Sequence, residues 1–408
     1  MTLDLMIFIS DPQLGRGDVN RNVLHAKSVF ETAAEMEKTN EYRCRGIIVV
    51  GDLTNYGHDD QLDKYKELYE SQSFLVFPGL GNHDYQLNVN DTFENRGATR
   101  MVEYLISSVH NVAAKVGVNF DVNEDSSPTK KTITGSLDYS WDIGNIHYVN
   151  ANNYPAYQNS WSNFRSDRGK SIAVNIHPCW EWLEKDLRFA RKQGKSIILN
   201  IHDMMNNWTD SDAKKFWELC QKFSVSAVFC GHDHAHGDKT GFYTSPNPCM
   251  NGHGIPKFNC GSADWNKYLY AWVEQGGSIS PDGYPLDTMN VKIIDSSNGT
   301  CNILPDVWFV RLLRPSEVFI ENSGDFVAKY IISFYWGGNK KLESEEQARG
   351  STCGFAIPDD ATNLHLRMMC KGSDTWKDIM SQDIKNPNGR MYYYHVTGTF
   401  SAPYWNLE

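Results

Sequence analysis

Apolar and polar positions alternate in blocks along the N-terminal part of the chain. Five short apolar runs, Leu3–Ser10, Gly46–Val50, Ser73–Gly79, Ser196–Asn200 and Val225–Cys230, each finish in a polar cluster. Those clusters hold Asp11, Asp52, Asn82-His83-Asp84, His202, and His232 with His234. Continuous apolar runs of this length, bounded by turn residues, have the pattern of strands buried on both faces. Between them, residues 20–38 show helical periodicity through Val23, Leu24, Val29, Phe30 and Met36. Further helices are predicted at 59–72, 97–117, 178–193 and 211–223, with Pro178 near the start of the fourth and Gly194 just after it. Leu137 to Asn150 alternates around Asp142-Ile143-Gly144-Asn145, which predicts a hairpin, and the polar stretch 118–134 is expected to be an irregular surface excursion. Strands alternating with helices predict an α/β sheet. Ligands bind beyond the carboxyl ends of the strands in such sheets, so the pattern places all five clusters on one rim.

The last quarter reads differently. Residues 316–408 carry short β runs at Phe326–Tyr335, Gly354–Ile357, Asn363–Met369 and Met391–Gly398, and no helix with an apolar stripe. A domain of residues 1–314 followed by a small all-β sandwich of residues 315–408 is the expected division.

Composition narrows the function classes. The net charge is −11 and no basic arm or stripe occurs, which argues against a nucleic-acid partner bound through phosphate contacts. Nine cysteines are scattered without a C-x-x-C pair, so no structural zinc site is expected. The first apolar run begins within a few residues of Met1. The source compartment stays open, with a secreted chain lacking its signal favoured over a cytoplasmic one. Oligomeric state is not legible.

The residue types at the strand ends suit a divalent metal. Carboxylate, amide oxygen and imidazole are the ligands that hard and borderline ions take. Asp11, Asp52, Asn82, His202, His232 and His234 supply them. One carboxylate such as Asp52 can bridge two ions about 3.5–4 Å apart, the arrangement that clamps a phosphate and activates water. His83 is placed to donate a proton, and Asp84 is expected to hold its ring in one tautomer. Asn55, Tyr85, Asn152, Asn153 and His236 lie on the adjoining loops and are candidate substrate contacts.

The blocks Asp11-x-Gln13, Gly51-Asp52, Gly81-Asn82-His83-Asp84, an isolated His202 and Gly231-His232-Asp233-His234 occur in the order of the calcineurin-like metallophosphoesterase family, which the chain resembles over about residues 3–300. The resemblance implies a four-layer α/β/β/α sandwich with two divalent ions (Mn, Fe, Mg or Zn). It implies a first ion held by Asp11, Asp52 and His234, and a second held by Asp52, Asn82, His202 and His232. It implies hydrolysis of a phosphate mono- or diester by a metal-bridging hydroxide, with His83 assisting the leaving group. The family's usual first block is Asp-x-His. Here Gln13 stands third, as in an Asp-Pro-Gln subgroup, either a weak neutral ligand or a neighbour of the ion. Aromatic and amide-rich loops favour a small molecule or lipid headgroup as the ester.

The C-terminal segments Asn322–Ala328, Phe334-Tyr335-Trp336, Ile357-Pro358 and Cys370–Lys377 resemble the terminal β-sandwich domain of cholesterol-dependent cytolysins. The resemblance implies a sandwich fold. The sterol-recognition loops of those toxins are not preserved, since Trp376 alone stands in the tryptophan-loop position and Phe400-Ser401 replaces a Thr-Leu pair. A membrane or glycan surface is the expected partner, met through Trp376, Phe400, Tyr404 and Trp405. The alternative reading is a catalytically weakened phosphoesterase scaffold, with Gln13 as the lesion, that acts as a binding protein through this sandwich.

Overall fold

The computed structural model describes residues 2–165, 169–204, 206–234, 239–243, 255–279, 285–299, 301–312, 316–336, 339–357, 361–372, 375–384 and 391–407. The chain forms two compact units. The first comprises Met1–Asp186, Ile197–Ser278 and Pro285–Leu312; the second comprises Leu187–Ser196, Ile279–Tyr284 and Leu313–Glu408.

The strands are β1 (Leu3–Ile9), β2 (Tyr42–Val49), β3 (Val76–Pro78), β4 (Val118–Phe120), β5 (Asn123–Ser126), β6 (Lys130–Gly135), β7 (Tyr139–Ile143), β8 (Ile146–Asn150) and β9 (Asn159–Arg165). Then come β10 (Lys170–Ile176), β11 (Ser196–Ile201), β12 (Val225–Cys230), β13 (Lys239–Tyr243), β14 (Ile255–Asn259), β15 (Lys267–Ile279), β16 (Pro285–Asp295), β17 (Asn302–Ile303) and β18 (Trp308–Arg311). Helices α1 (Val19–Lys38), α2 (Asp59–Tyr69), α3 (Arg96–Ala113), α4 (Trp180–Lys192) and α5 (Asp210–Lys222) lie near the expected spans. Local chemistry starts two of them. The Asp18 carboxylate accepts the Asn20 amide at 2.9 Å ahead of α1, and Thr209 with Asp212 forms a capping box on α5.

The five polar-ended runs do not share one sheet. β1, β2 and β3 run parallel in a sheet ordered β17-β16-β15-β1-β2-β3. β11 and β12 lie in another, ordered β13-β14-β12-β11-β8-β7-β4. The inner faces of the two sheets meet through stacked rings, Phe8 on Phe229 at 3.9 Å and Phe77 on Trp141 at 4.2 Å between centroids. Both pairs belong to one continuous core. Stacked pairs of this kind contribute about 0.5–1.5 kcal/mol beyond the area they bury. The rim that carries the polar clusters is therefore shared between two sheets.

The stretch expected to be irregular, 118–134, forms β4, β5 and β6. β5 is exposed along its whole length, so no apolar alternation marks it, and its pairing to β6 rests on the backbone ladder. The 137–150 hairpin forms as expected, with β7 and β8 antiparallel.

Among the described residues, the second unit is all-β apart from the α4 residues assigned to it. It contains β19 (Ser316–Asn322), β20 (Val327–Trp336), β21 (Asn339–Gln347), β22 (Ser351–Ile357), β23 (Thr362–Lys371), β24 (Trp376–Ile384), β25 (Met391–Gly398) and β26 (Pro403–Leu407). They form two four-stranded sheets, ordered β22-β19-β25-β26 and β21-β20-β23-β24. Along β20, Ala328, Tyr330, Ile332 and Phe334 are buried and the residues between them point outward, the period of two that a half-buried strand requires. Among the described residues, no helix is long and apolar enough to cross a membrane.

Candidate metal centre

The polar ends of β1, β2, β3, β11 and β12 converge on one spot. Close packing there explains the glycines of the sequence blocks. A Cβ on Gly81 would overlap the Asp52 carboxylate, and one on Gly231 would overlap the Ser10 hydroxyl and crowd Asp11. Asp11, Asp52, His232 and His234 all have positive φ, between 47° and 71°. Non-glycine residues seldom adopt this conformation, and it persists only where surrounding contacts over-determine it. The turn after β3 is a single wide helical turn, Asn82–Gln86, that points Asn82 inward.

Two groups of ligand atoms result. In the first, one ligand atom each from Asp11, Asp52 and His234 lie within 4.8 Å of one another. Asp11 is buried; its Oδ2 accepts Ser10 Oγ at 2.6 Å and the His232 amide at 3.0 Å, while its Oδ1 accepts no hydrogen bond. In the second, His202 Nε2 stands 3.1 Å from Asn82 Oδ1 and 3.3 Å from Asp52 Oδ1, and His232 Nδ1 stands 3.0 Å from Asn82 Oδ1. His202 Nδ1 donates to the Val50 carbonyl at 2.8 Å. That bond fixes Nδ1 as a donor, so Nε2 is the nitrogen that faces the two oxygens and that a neutral ring would offer to a metal.

Such an arrangement calls for positive charge. Burial pulls the His202 ring toward its neutral form, but the carboxylates of Asp52 and Asp11 outweigh it and hold the ring up to about 10. Burial raises the Asp11 carboxyl, and the Asp52 charge adds to the effect. For Asp52, burial is outweighed by the His202 and His83 interactions, which hold it below the ordinary carboxylate range. An orphaned carboxylate oxygen, an amide oxygen and an imidazole whose charge stands where a cation would are the donor set of a divalent cation once the ring gives up its proton, so the residues present fit a metal.

Gln13 is buried beside this set but turned. Its Nε2 lies 3.4 Å from Asp52 Oδ2, and its Oε1, the atom able to ligate, accepts Arg16 Nη1 at 2.8 Å. Two further side chains adjoin His234. Asp264 Oδ2 meets His234 Nδ1 at 3.0 Å, and Arg16 Nη1 meets His234 Nε2 at 3.1 Å. Asp264 lies beyond the end of β14, whose Ile-Pro-Lys-Phe-Asn sequence is not a continuous apolar run, so the strand-end pattern does not mark it.

His83 sits at the edge of the cluster, half-buried. Its amide binds Asp52 Oδ1 at 2.9 Å, and its ring Nδ1 meets the Asn55 carbonyl at 3.1 Å. The expectation that Asp84 orients this ring is corrected. Asp84 points away and accepts four bonds, from the amides of Leu53 (3.0 Å), Thr54 (2.9 Å) and Gly81 (3.0 Å) and from Thr54 Oγ1 (2.9 Å). It ties the loop after β2 to the turn after β3.

Three of the expected substrate contacts have side chains packed within the protein. Tyr85 is buried with its ring edge-on to Tyr157 at 4.9 Å. Asn152 uses its side chain on the Leu80 amide, the Leu137 carbonyl and Asp138. Asn153 is buried and bonds Gln86 at 2.6 Å. Asn55 is half-buried and acts on His83 through its backbone carbonyl. His236 lies outside the described residues.

In the second unit Tyr404 is 62 % exposed, whereas Trp405 is half-buried with its ring 5.9 Å from Tyr394. Phe400 is half-buried over Gly372, where a Cβ would touch its ring. Trp376 is half-buried, with the Lys329 and Lys371 ammonium groups 5.6 and 5.7 Å from its ring centroid.

Among solved structures the chain is weakly similar to the membrane-binding domain of pneumolysin, with 17 % identity over 23 % of this chain and 96 % of that one, and a TM-score of 0.18. It is also similar to the cytotoxin suilysin from Streptococcus suis (12 % identity, 35 % and 48 % coverage, TM-score 0.20) and to listeriolysin O (12 %, 35 % and 46 %, 0.19). The chain spans about half the length of these two toxins. No curated protein sequence matches it. Residues 7–236, which contain every strand-end block of the centre from Asp11 to His234, match the calcineurin-like phosphoesterase family, and the chain belongs to that family.

Proposed function

We propose that this protein is a phosphoesterase of the Asp-Pro-Gln subgroup that works with two divalent ions and hydrolyses phosphate mono- or diesters of a small molecule or lipid headgroup. The observation that carries the reading is the convergence of Asp11, Asp52 and His234, with the orphaned Asp11 Oδ1 among their atoms, beside the Asn82–His202–His232 group. Asp11, Asp52 and His234 would hold one ion, and Asp52, Asn82, His202 and His232 the other. When bound, the ions supply Lewis-acid polarisation of the phosphoryl oxygens and an activated water.

The chain's own residues do the rest. Ser10 and the His232 amide hold the Asp11 carboxylate by Oδ2, which leaves Oδ1 without a hydrogen bond, 3.3 Å from His234 Nε2. Val50 and Asp264 set the tautomers of His202 and His234. His83, held by the Asn55 carbonyl at Nδ1, keeps Nε2 for the leaving-group oxygen. The two seven-stranded sheets with their helices are read as the four-layer α/β/β/α sandwich, and residues 315–408 as a separate β-sandwich.

That sandwich is proposed to bring the enzyme to a membrane or glycan surface through Tyr404 and the lysine-flanked Trp376, a pairing of exposed ring and cation that suits headgroups. Sedimentation with anionic liposomes, lost in Tyr404→Ala and Trp376→Ala, supports this; equal sedimentation of all three proteins refutes it.

The enzymatic reading is tested by Mn²⁺-dependent nitrophenol release from matched phosphate monoester and diester substrates. Turnover that disappears in Asp52→Asn is expected. Metal-independent turnover, or equal turnover in the variant, overturns the proposal.

A further inference from the structure

The loop after β1 carries a cation of its own into the centre. Arg16 Nη1 lies 2.8 Å from Gln13 Oε1 and 3.1 Å from His234 Nε2, and Arg16 Nε lies 3.8 Å from Asp264 Oδ2. The protonation of His234 follows from its partners. A carboxylate only accepts, so the Nδ1 that meets Asp264 Oδ2 at 3.0 Å carries the proton, and in the neutral ring the Nε2 lone pair faces the guanidinium, with Asp11 Oδ1 3.3 Å away on the metal side. One Arg16 nitrogen thus engages an imidazole lone pair and an amide oxygen together.

Those two acceptors are what an ion beside Asp11 would draw on. A lone pair cannot bind a guanidinium N–H and a metal at once, and two positive charges a few ångströms apart repel. The Asn82–His202–His232 group is different: among the described residues, no lysine or arginine hydrogen-bonds to any of its side chains. Arg16 is held to its place by the Asp264 carboxylate, which also fixes His234, so the competing cation and the ligand share one anchor.

We infer that Arg16 is a built-in competitor for the Asp11–Asp52–His234 position, so that the two positions differ in affinity. The Asp52–Asn82–His202–His232 position loads first and tightly. The Asp11 position loads second and weakly, because Arg16 must withdraw from His234 Nε2 before an ion can take it. This explains why Gln13 is tolerated in the first block: its oxygen serves the arginine. The inference rests on the dimetal reading above and concerns the order of loading.

The test is calorimetric titration of the metal-free full chain with Mn²⁺, with electron paramagnetic resonance to detect spin coupling between adjacent ions. Arg16→Met and Arg16→Gln remove the charge. The side chain is nearly half exposed, and equal melting temperatures confirm folding. In the variants the weaker step should tighten about ten- to a hundredfold, the size of an ordinary coupling between two ligands, while the tighter step stays the same. Coupled Mn²⁺ pairs should appear at correspondingly lower concentration. A wild type that takes one ion where Arg16→Met takes two is the limiting form of the same result. Two steps unchanged in both variants, or a weaker step that weakens further, overturn the inference and leave the dimetal reading standing. Failure of every protein to take up Mn²⁺ overturns both.

Discussion

Asp84 offers the sharpest discrimination between two roles for one carboxylate. In Asp84→Asn, one oxygen is replaced by an NH₂ group at almost constant volume. The wild-type carboxylate accepts on Oδ1 from the Thr54 amide and hydroxyl, and on Oδ2 from the Leu53 and Gly81 amides. An asparagine oxygen can serve one pair of donors, and its NH₂ then faces the other pair. Burial and the Asp52 charge hold the Asp84 carboxyl up to about 7, so above that pH two hydrogen bonds to a charged acceptor are lost, at about 1.5–3 kcal/mol each, and the surviving pair becomes neutral. A destabilisation of about 3–6 kcal/mol follows, at the upper end for a single substitution. In a unit of this size it lowers Tm by roughly 6–12 °C. The assay pairs chemical denaturation with a pH profile of kcat on a phosphate monoester, measured well below the variant's Tm. The acid and base limbs of the profile should keep their positions, because the Asn55 carbonyl, not Asp84, orients His83. An unchanged Tm together with a displaced limb would refute the reasoning and restore Asp84 as the partner of the imidazole.

Further outcomes follow from the same geometry. His83→Ala should lower kcat by about 10²–10⁴ on alkyl phosphates, which need a proton on departure, and much less on nitrophenyl esters; Mn²⁺ content should persist, because the bond from residue 83 to Asp52 is made by the backbone amide. His147 is buried between Asp142 at 2.8 Å and Asp186 at 2.9 Å; burial opposes its charge, yet the two carboxylates hold it up to about 9. Its folded value exceeds the unfolded one, so the stability it contributes is complete below about pH 6.5 and lost as pH rises through about 9, roughly 3 kcal/mol in all. Denaturation of wild type and His147→Asn from about pH 6 to about pH 10 should show the two curves converging, and parallel curves would count against it. Chelation should lower Tm and Mn²⁺ restore it, with about 2.7 kcal/mol recovered at a hundred times Kd; a Tm indifferent to metal would contradict the centre's fit for cations.

The local chemistry of the centre was legible because it is local. A strand and a ligand-type side chain follow one another within a few residues at Asp11, Asp52, Asn82, His202 and His232, with a glycine between them at Asp52, Asn82 and His232. The helices announced themselves through periodicity, and α4 also through Pro178 before it and Gly194 after it. The exposed strands β5 and β21 were not legible, since their ladders are made by backbone groups and their side chains carry no alternation of burial.

Contacts between blocks belong to the tertiary structure. From sequence, Asp84 stands next to His83 and should hold it, but adjacent residues on a tight turn point apart, and the carboxylate meets donors about 30 positions away. Asn152 lies on a loop near the rim, yet its side chain is consumed bracing Leu80 and Leu137. Arg16 reaches His234 across 218 positions, and the division of the strand ends between two facing sheets decides that it can. Residue type and strand position determined what each block could bind. Side-chain direction and long-range packing, which depend on how the sheets close against each other, decided which neighbours it has.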